Sequence, residues 1–163
     1  TDDAILVHYI VKEASVRAVA AGDNGAVWED ACVEFFSIPA GDGIYYNVEC
    51  NCAGILLIGA GAGRENREHA PQEVMDKVQR WSSLGRQSFE ERVGECNWEL
   101  ALVIPYSAFF KHQITSLDGK TVRANFYKCG DKLQTPHFLS WNPIALEKPN
   151  FHCPEFFGTL NFE

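Results

Sequence analysis

Two stretches of the chain alternate strictly between apolar and polar side chains, and both predict β-strands. In the first, Tyr46, Val48, Cys50 and Cys52 fall on one face, and Tyr45, Asn47, Glu49 and Asn51 on the other. In the second, Val122, Ala124 and Phe126 oppose Thr121, Arg123, Asn125 and Tyr127. A period of two sends successive side chains to opposite faces of a sheet, so the apolar sets predict core. The polar sets predict either a solvated outer face, common in antiparallel sandwiches, or a ligand-binding face poor in long Lys and Glu. Further strand-like runs cover residues 5–11, 15–19, 32–38, 54–58, 98–104, 138–141 and 159–162. Pro39-Ala40-Gly41-Asp42-Gly43 is a strong turn after the third of them. Strands at this density, broken by Gly- and Pro-rich turns, predict an all-β fold: an antiparallel two-sheet β-sandwich, jelly-roll-like, with one short helix.

The helix is predicted over residues 71–81. Pro71 suits a first helical turn, and Val74, Val78 and Trp81 recur at spacings of four and three, a stripe that would pack Trp81 onto the sandwich. Gly59-Ala60-Gly61-Ala62-Gly63 lacks the G-x-x-x-x-G-K-[ST] pattern and reads as a flexible loop rather than a phosphate cradle. Val48, Trp98, Leu100, Leu102, Ile104, Val122, Phe126 and Phe157 are the expected core.

Composition narrows the function classes. At 163 residues and 46% hydrophobic, the chain suits one domain, residues 1–163, with a full core. A net charge of −8 argues against nucleic acid and anionic membrane as partners and fits a neutral ligand or a cation. No stretch is long enough for a membrane span, and Thr1-Asp2-Asp3 is no signal peptide. A cytoplasmic location, or a secreted, periplasmic or cell-surface one after removal of a leader, both stay open. The six cysteines form no C-x-x-C pair, and a core of this size needs no staples, so mostly free buried thiols are expected.

Candidate chemistry is sparse. There is no H-E-x-x-H and no G-x-S-x-G, so metalloprotease and serine-hydrolase readings lack support. Glu34 sits on an otherwise apolar strand and needs a partner or a cleft, Arg123 being one candidate. With Glu49 it could form the carboxylate pair of a glycoside hydrolase, the alternative enzymatic reading. Trp28 lies near a turn, as a sugar platform or a core lid. Asp23, Asn24, Glu29 and Asp30 form an oxygen-rich loop of the kind calcium takes, without EF-hand spacing; a polar turn with local hydrogen bonds is the competing reading.

Five segments in order carry a family resemblance: Trp28-Glu29-Asp30-Ala31-Cys32-Val33-Glu34-Phe35-Phe36; Tyr45-Tyr46-Asn47-Val48-Glu49-Cys50-Asn51; Arg123-Ala124-Asn125-Phe126-Tyr127-Lys128-Cys129-Gly130-Asp131; Pro136-His137-Phe138-Leu139-Ser140-Trp141-Asn142-Pro143; and Phe151-His152-Cys153-Pro154-Glu155-Phe156-Phe157-Gly158. They resemble the family 9 carbohydrate-binding modules, in particular family-9-like proteins of gut Bacteroidetes, a setting of polysaccharide utilisation. The resemblance implies a sandwich that binds an oligo- or polysaccharide without catalysis, clamping a glycan end between two tryptophans, and a structural calcium; no cofactor is required. Trp28 matches the first tryptophan and Glu34 a family acid. Phe151 and His152 stand where the second tryptophan would fall, and Glu49 occupies the stretch of a family basic residue, which Arg123 would replace from a neighbouring strand. Typical members have a further N-terminal stretch, so the resemblance implies that the sequence begins inside the domain, with an edge strand missing or outside this sequence. A haem-binding relative on the same sandwich would need Met75, the one methionine, which falls on the predicted helix. The expected site is a shallow cleft in which Trp28 and Phe151 flank polar strand faces, with Glu34, Asn47, Asn51, Arg123, Asn125 and His152 reading hydroxyls.

Overall fold

The computed structural model describes residues 2–163. Ten strands and one short helix follow in chain order: β1 (Ala4–Ala18), β2 (Cys32–Ile38), β3 (Tyr45–Asn51), β4 (Leu56–Gly61), β5 (Glu68–His69), α1 (Gln72–Met75), β6 (Gln79–Ser82), β7 (Phe89–Pro105), β8 (Thr121–Cys129), β9 (Phe138–Ser140) and β10 (Gly158–Asn161). They form two antiparallel sheets. The smaller has the order β1-β7-β6; the larger runs β10-β8-β2-β3-β4-β5, with β9 on β8. The all-β sandwich with one short helix is the architecture observed. No helix among the described residues is long and apolar enough to cross a membrane.

The period of two decides what lies between the sheets. Val33 and Phe35 of β2, Val48 and Cys50 of β3, Leu56 and Ile58 of β4 and Val122 of β8 face inward. They pack with Val16 of β1 and with Trp98, Leu100, Leu102 and Ile104 of β7. Phe126 is half-buried at the rim of this core, stacked on Phe35 with ring centroids 5.0 Å apart. Phe157 is buried too, but in a separate cluster with Phe36, Tyr45 and Tyr127, the outward residues of the large sheet. All six cysteines are free thiols, five of them buried.

Three expectations need correction. The helix ends at Met75, and Trp81 lies on β6, half-exposed rather than packed. Residues 79–82 pair with β7, and Arg80 turns in to a two-pronged contact with Asp23, both nitrogen–oxygen distances 2.7 Å. Continuing the helix would forfeit that ladder and that ion pair. The glycine run is not a loop: Gly59 to Gly61 belong to β4 and pair with β3. The two N-terminal runs are one strand, β1, whose register with β7 is interrupted between Glu13 and Ser15 and again between Val16 and Ala18. The partner half of β7, from Phe89 to Cys96, is mostly exposed and charged, so it shows no apolar period.

The Asp23–Arg80 pair is largely buried, and breaking a buried pair from one side leaves an uncompensated charge. Asp23→Asn should therefore lower stability by about 3 kcal/mol, read from urea unfolding. Trp81→Ala should change it by about 1 kcal/mol or less, because its side chain is not in the core.

Candidate functional site

The outward face of β2, β3 and β8 is not solvated. The segment from Asn142 to Phe157 crosses it, tied down side chain by side chain. Asn125 donates to the Asn142 carbonyl and accepts from the Asn142 and Phe126 backbone N–H groups. Arg123 donates to the carbonyls of Pro154, Glu155 and Phe157. Tyr127 donates to the Phe151 carbonyl, and Tyr45 Oη is hydrogen-bonded to His152 Nδ1 at 2.8 Å. Where this cover stops short, a cleft of about 300 Å³ opens over the outward face of β2 and β3.

Its floor is Glu34, Asn47 and Glu49; its walls are Trp28 and Leu57, Arg64, Arg67 and His69, Cys129 and Asp131, Phe138, and the stretch Pro149 to His152. Five of the eight sugar-site candidates thus come together: Trp28, Glu34, Asn47, Phe151 and His152. Asn51, Arg123 and Asn125 do not line it. Asn51 is fully buried, donating to Asp30 and accepting from the Ala53 and Ile55 N–H groups to close the turn after β3. Arg123 and Asn125 are occupied by the C-terminal segment, so neither Arg123 nor any other cation of β8 pairs with Glu34.

Trp28 sits on a single 3-10 turn, Val27–Glu29, held by the buried Val27 beside it. Its carbonyl accepts from the Asp131 N–H, fixing the turn to the end of β8. Trp28 is 39% exposed, so it is not sealed into the core. Phe151 stacks on Tyr127 at a centroid distance of 4.1 Å and an interplanar angle of 7°, with Phe138 edge-on at 6.2 Å. Three aromatic side chains, Trp28, Phe138 and Phe151, thus stand beside a polar floor.

Glu34 and Glu49 are direct cross-strand partners, which puts their carboxyls on one floor. Burial drives Glu34 well above the usual carboxylate range, and the neighbouring Glu49 adds to it. Burial also pushes Glu49 up, to about 7, although the Asn47 hydrogen bond and the charge of Arg67 pull it back. Glu34 Oε1 accepts from the Cys129 thiol at 3.1 Å, and Glu49 Oε1 from the Asn47 amide at 2.9 Å.

Arg67 was not legible as a site residue. It lies across the outward face of β4, donating to Asn47 Oδ1 at 2.7 and 2.9 Å and to the Tyr45 and Gly63 carbonyls, its guanidinium 3.9 Å from the centre of the Tyr45 ring. Only glycine leaves room beneath it: a Cβ at Gly59 would stand 2.5 Å from Asn47 Oδ1. The alternate glycines Gly59 and Gly61 were the available signal, since a strand that keeps one face bare does so for something lying on it.

The four calcium candidates are taken by protein partners. Asp23 binds Arg80 and accepts from the Leu56 N–H, and Asn24 bridges the Ala70 carbonyl and the Ile58 N–H. Glu29 pairs with Lys132 at 2.9 Å, and Asp30 accepts from the Val19 and Ala20 N–H groups and from Asn51. These contacts hold the loops in place. Met75 is fully buried and packed in the hydrophobic core.

Residues 1–162 match the family model for carbohydrate-binding family 9. The chain belongs to that family. No curated protein matches it significantly. A crystal structure of a "putative carbohydrate-binding protein" from Bacteroides uniformis ATCC 8492 is 70% identical, with a TM-score of 0.97 over 99% of this chain and 74% of that one. Of the tryptophans of this family 9 domain, Trp28 lines the cleft, together with Phe151 and His152.

Two outcomes test this geometry. Gly59→Ala should displace Asn47 and Arg67 and perturb the amide resonances of Asn47 and Tyr45 in a protein that still folds. Burial, reinforced by Arg67 and Arg64, lowers His152 from 6.5 to about 4. A group whose protonation is disfavoured in the fold contributes stability above its unfolded value and loses it as pH falls toward the folded one. The window is therefore about pH 6.5 down to 4. An NMR titration should place the imidazole midpoint near 4, and His152→Gln should flatten the stability loss across that window.

Proposed function

We propose that the cleft holds the end of an oligo- or polysaccharide and does not cleave it. The observation that carries this reading is the pairing of aromatic side chains, the exposed Trp28 and Phe138 and the half-buried Phe151, with a floor of buried acceptors and donors at Glu34, Asn47 and Glu49. Sugar rings have apolar C–H faces that stack on aromatic rings and a rim of hydroxyls that needs hydrogen-bond partners. The volume lies at the small end of the range for ligand sites, which suits the end of a glycan better than a chain laid along a groove. Membership of a carbohydrate-binding family supports the same reading.

The hydrolase alternative is weaker on geometry. A glycosidase needs its two carboxyls on either side of the scissile bond. Glu34 and Glu49 stand side by side on adjacent strands, each already hydrogen-bonded to a neighbouring side chain.

Stacking fixes a ring but scarcely chooses among hexoses; hydrogen bonds to equatorial or axial hydroxyls do. Trp28→Ala should cost about 2 kcal/mol, about thirty-fold in glycan affinity, with an unchanged melting temperature. Asn47→Ala should shift preference among sugars on a glycan array. Arg123→Ala should lower thermal stability by loosening the C-terminal turn. Binding that survives Trp28→Ala, or release of new reducing ends from a bound glycan, would overturn the proposal.

A further inference from the structure

We propose that Cys32, Cys129 and Glu34 form a binding site for a thiophilic divalent cation, zinc being the type, at the floor of the cleft. The sheet register makes the cluster. Cys32 faces Cys129 across the β2–β8 ladder, and Glu34 follows two residues along β2 on the same outward face. The two sulfurs and a carboxyl oxygen all lie within 4.8 Å of one another, and Cys129 Sγ is 3.1 Å from Glu34 Oε1. Ligands about 2.3 Å from a common tetrahedral centre stand roughly 3.8 Å apart, so atoms within 4.8 Å of one another reach one ion with small side-chain shifts.

Two further features favour a cation there. All three side chains are at least nine-tenths buried, so the donor set is fixed by packing rather than by chance encounter at the surface. The neighbouring Glu49 Oε2 is buried without a hydrogen-bond partner among the described residues, which leaves uncompensated acceptor capacity beside the cluster. Two sulfurs and one carboxylate suit zinc or cadmium and would be a poor set for calcium or magnesium, which take oxygen. On binding, Glu34 ligates as the carboxylate: both thiol protons and any carboxyl proton leave to solvent, and two sulfur–metal bonds and one oxygen–metal bond form. Cys32 lies beneath, while Cys129 and Glu34 line the cleft, so a fourth ligand would enter from the cleft side. The proposal does not depend on sugar binding.

The full chain, reduced with a thiol-free reductant and freed of metal, is titrated with zinc, cadmium and calcium. One equivalent of zinc should bind and raise the melting temperature. Cadmium should give the ultraviolet charge-transfer band of sulfur ligation, and calcium should do neither. Cys32→Ser and Cys129→Ser should each lose the band and weaken zinc binding at least about 100-fold, and Glu34→Gln about ten-fold. Cys96→Ser, on β7 outside the cluster, should change nothing. Should a serine variant not fold, alanine at the same position takes its place. Absence of the cadmium band in the wild-type protein overturns the proposal, and so does zinc binding that survives loss of Cys32 and Cys129.

Discussion

A polar side chain can be buried only if something answers its hydrogen-bonding groups, and this constraint organises the outward face of the large sheet. β2, β3 and β8 present Glu34, Asn47, Glu49, Asn51, Arg123 and Asn125 on one side, and nearly all of them are removed from solvent. The C-terminal segment supplies the answer for some. Its carbonyls take the Arg123 guanidinium and the Asn125 amide, and its Asn142 N–H returns a bond to Asn125. The cover is therefore specified by the sheet beneath it. Where the cover ends, Glu34, Asn47 and Glu49 remain buried but only partly answered, and the cleft lies there.

The walls of the cleft are rigid because each rests on a second layer. Phe151 is backed by Tyr127, whose hydroxyl also holds the Phe151 carbonyl. His152 is held by Tyr45, and Tyr45 is covered by Arg67. Trp28 is placed by a one-turn 3-10 helix whose carbonyl is fixed to Asp131. A site whose side chains are locked in advance binds with less ordering cost than one assembled around the ligand. The same economy of placement puts two thiols and a carboxyl in contact at the junction of β2 and β8.

Much of the fold was legible. The clean alternations at Tyr46 and Val122 located the core faces, because an amphipathic strand has only one way to bury its apolar side. Trp98 and its alternate partners Leu100, Leu102 and Ile104 were readable for the same reason. Phe126 and Phe157 were less so: one lies at the rim of the core, the other in a second cluster on the outward side. The segment containing Trp81 failed because a stripe at spacings of four and three also arises by chance over eleven residues. The ion pair of Arg80 with Asp23, far away in sequence, outweighed helix propensity there.

What the chain alone determined is the strands with a clear apolar period, since these depend on local period and local turns. It also placed Glu34 where a carboxylate would need an exceptional environment. The tertiary structure decided which polar residues of the outward face are builders and which line the cleft. Asn47, Asn51 and Asn125 look alike in sequence, yet Asn51 closes a turn, Asn125 holds a segment that arrives seventeen residues later, and only Asn47 reaches the cleft. Arg67 and the pairing of Cys32 with Cys129 belong to the same category. Each depends on which strand lies beside which, and a one-dimensional pattern carries the period of a strand but not the neighbour it will meet.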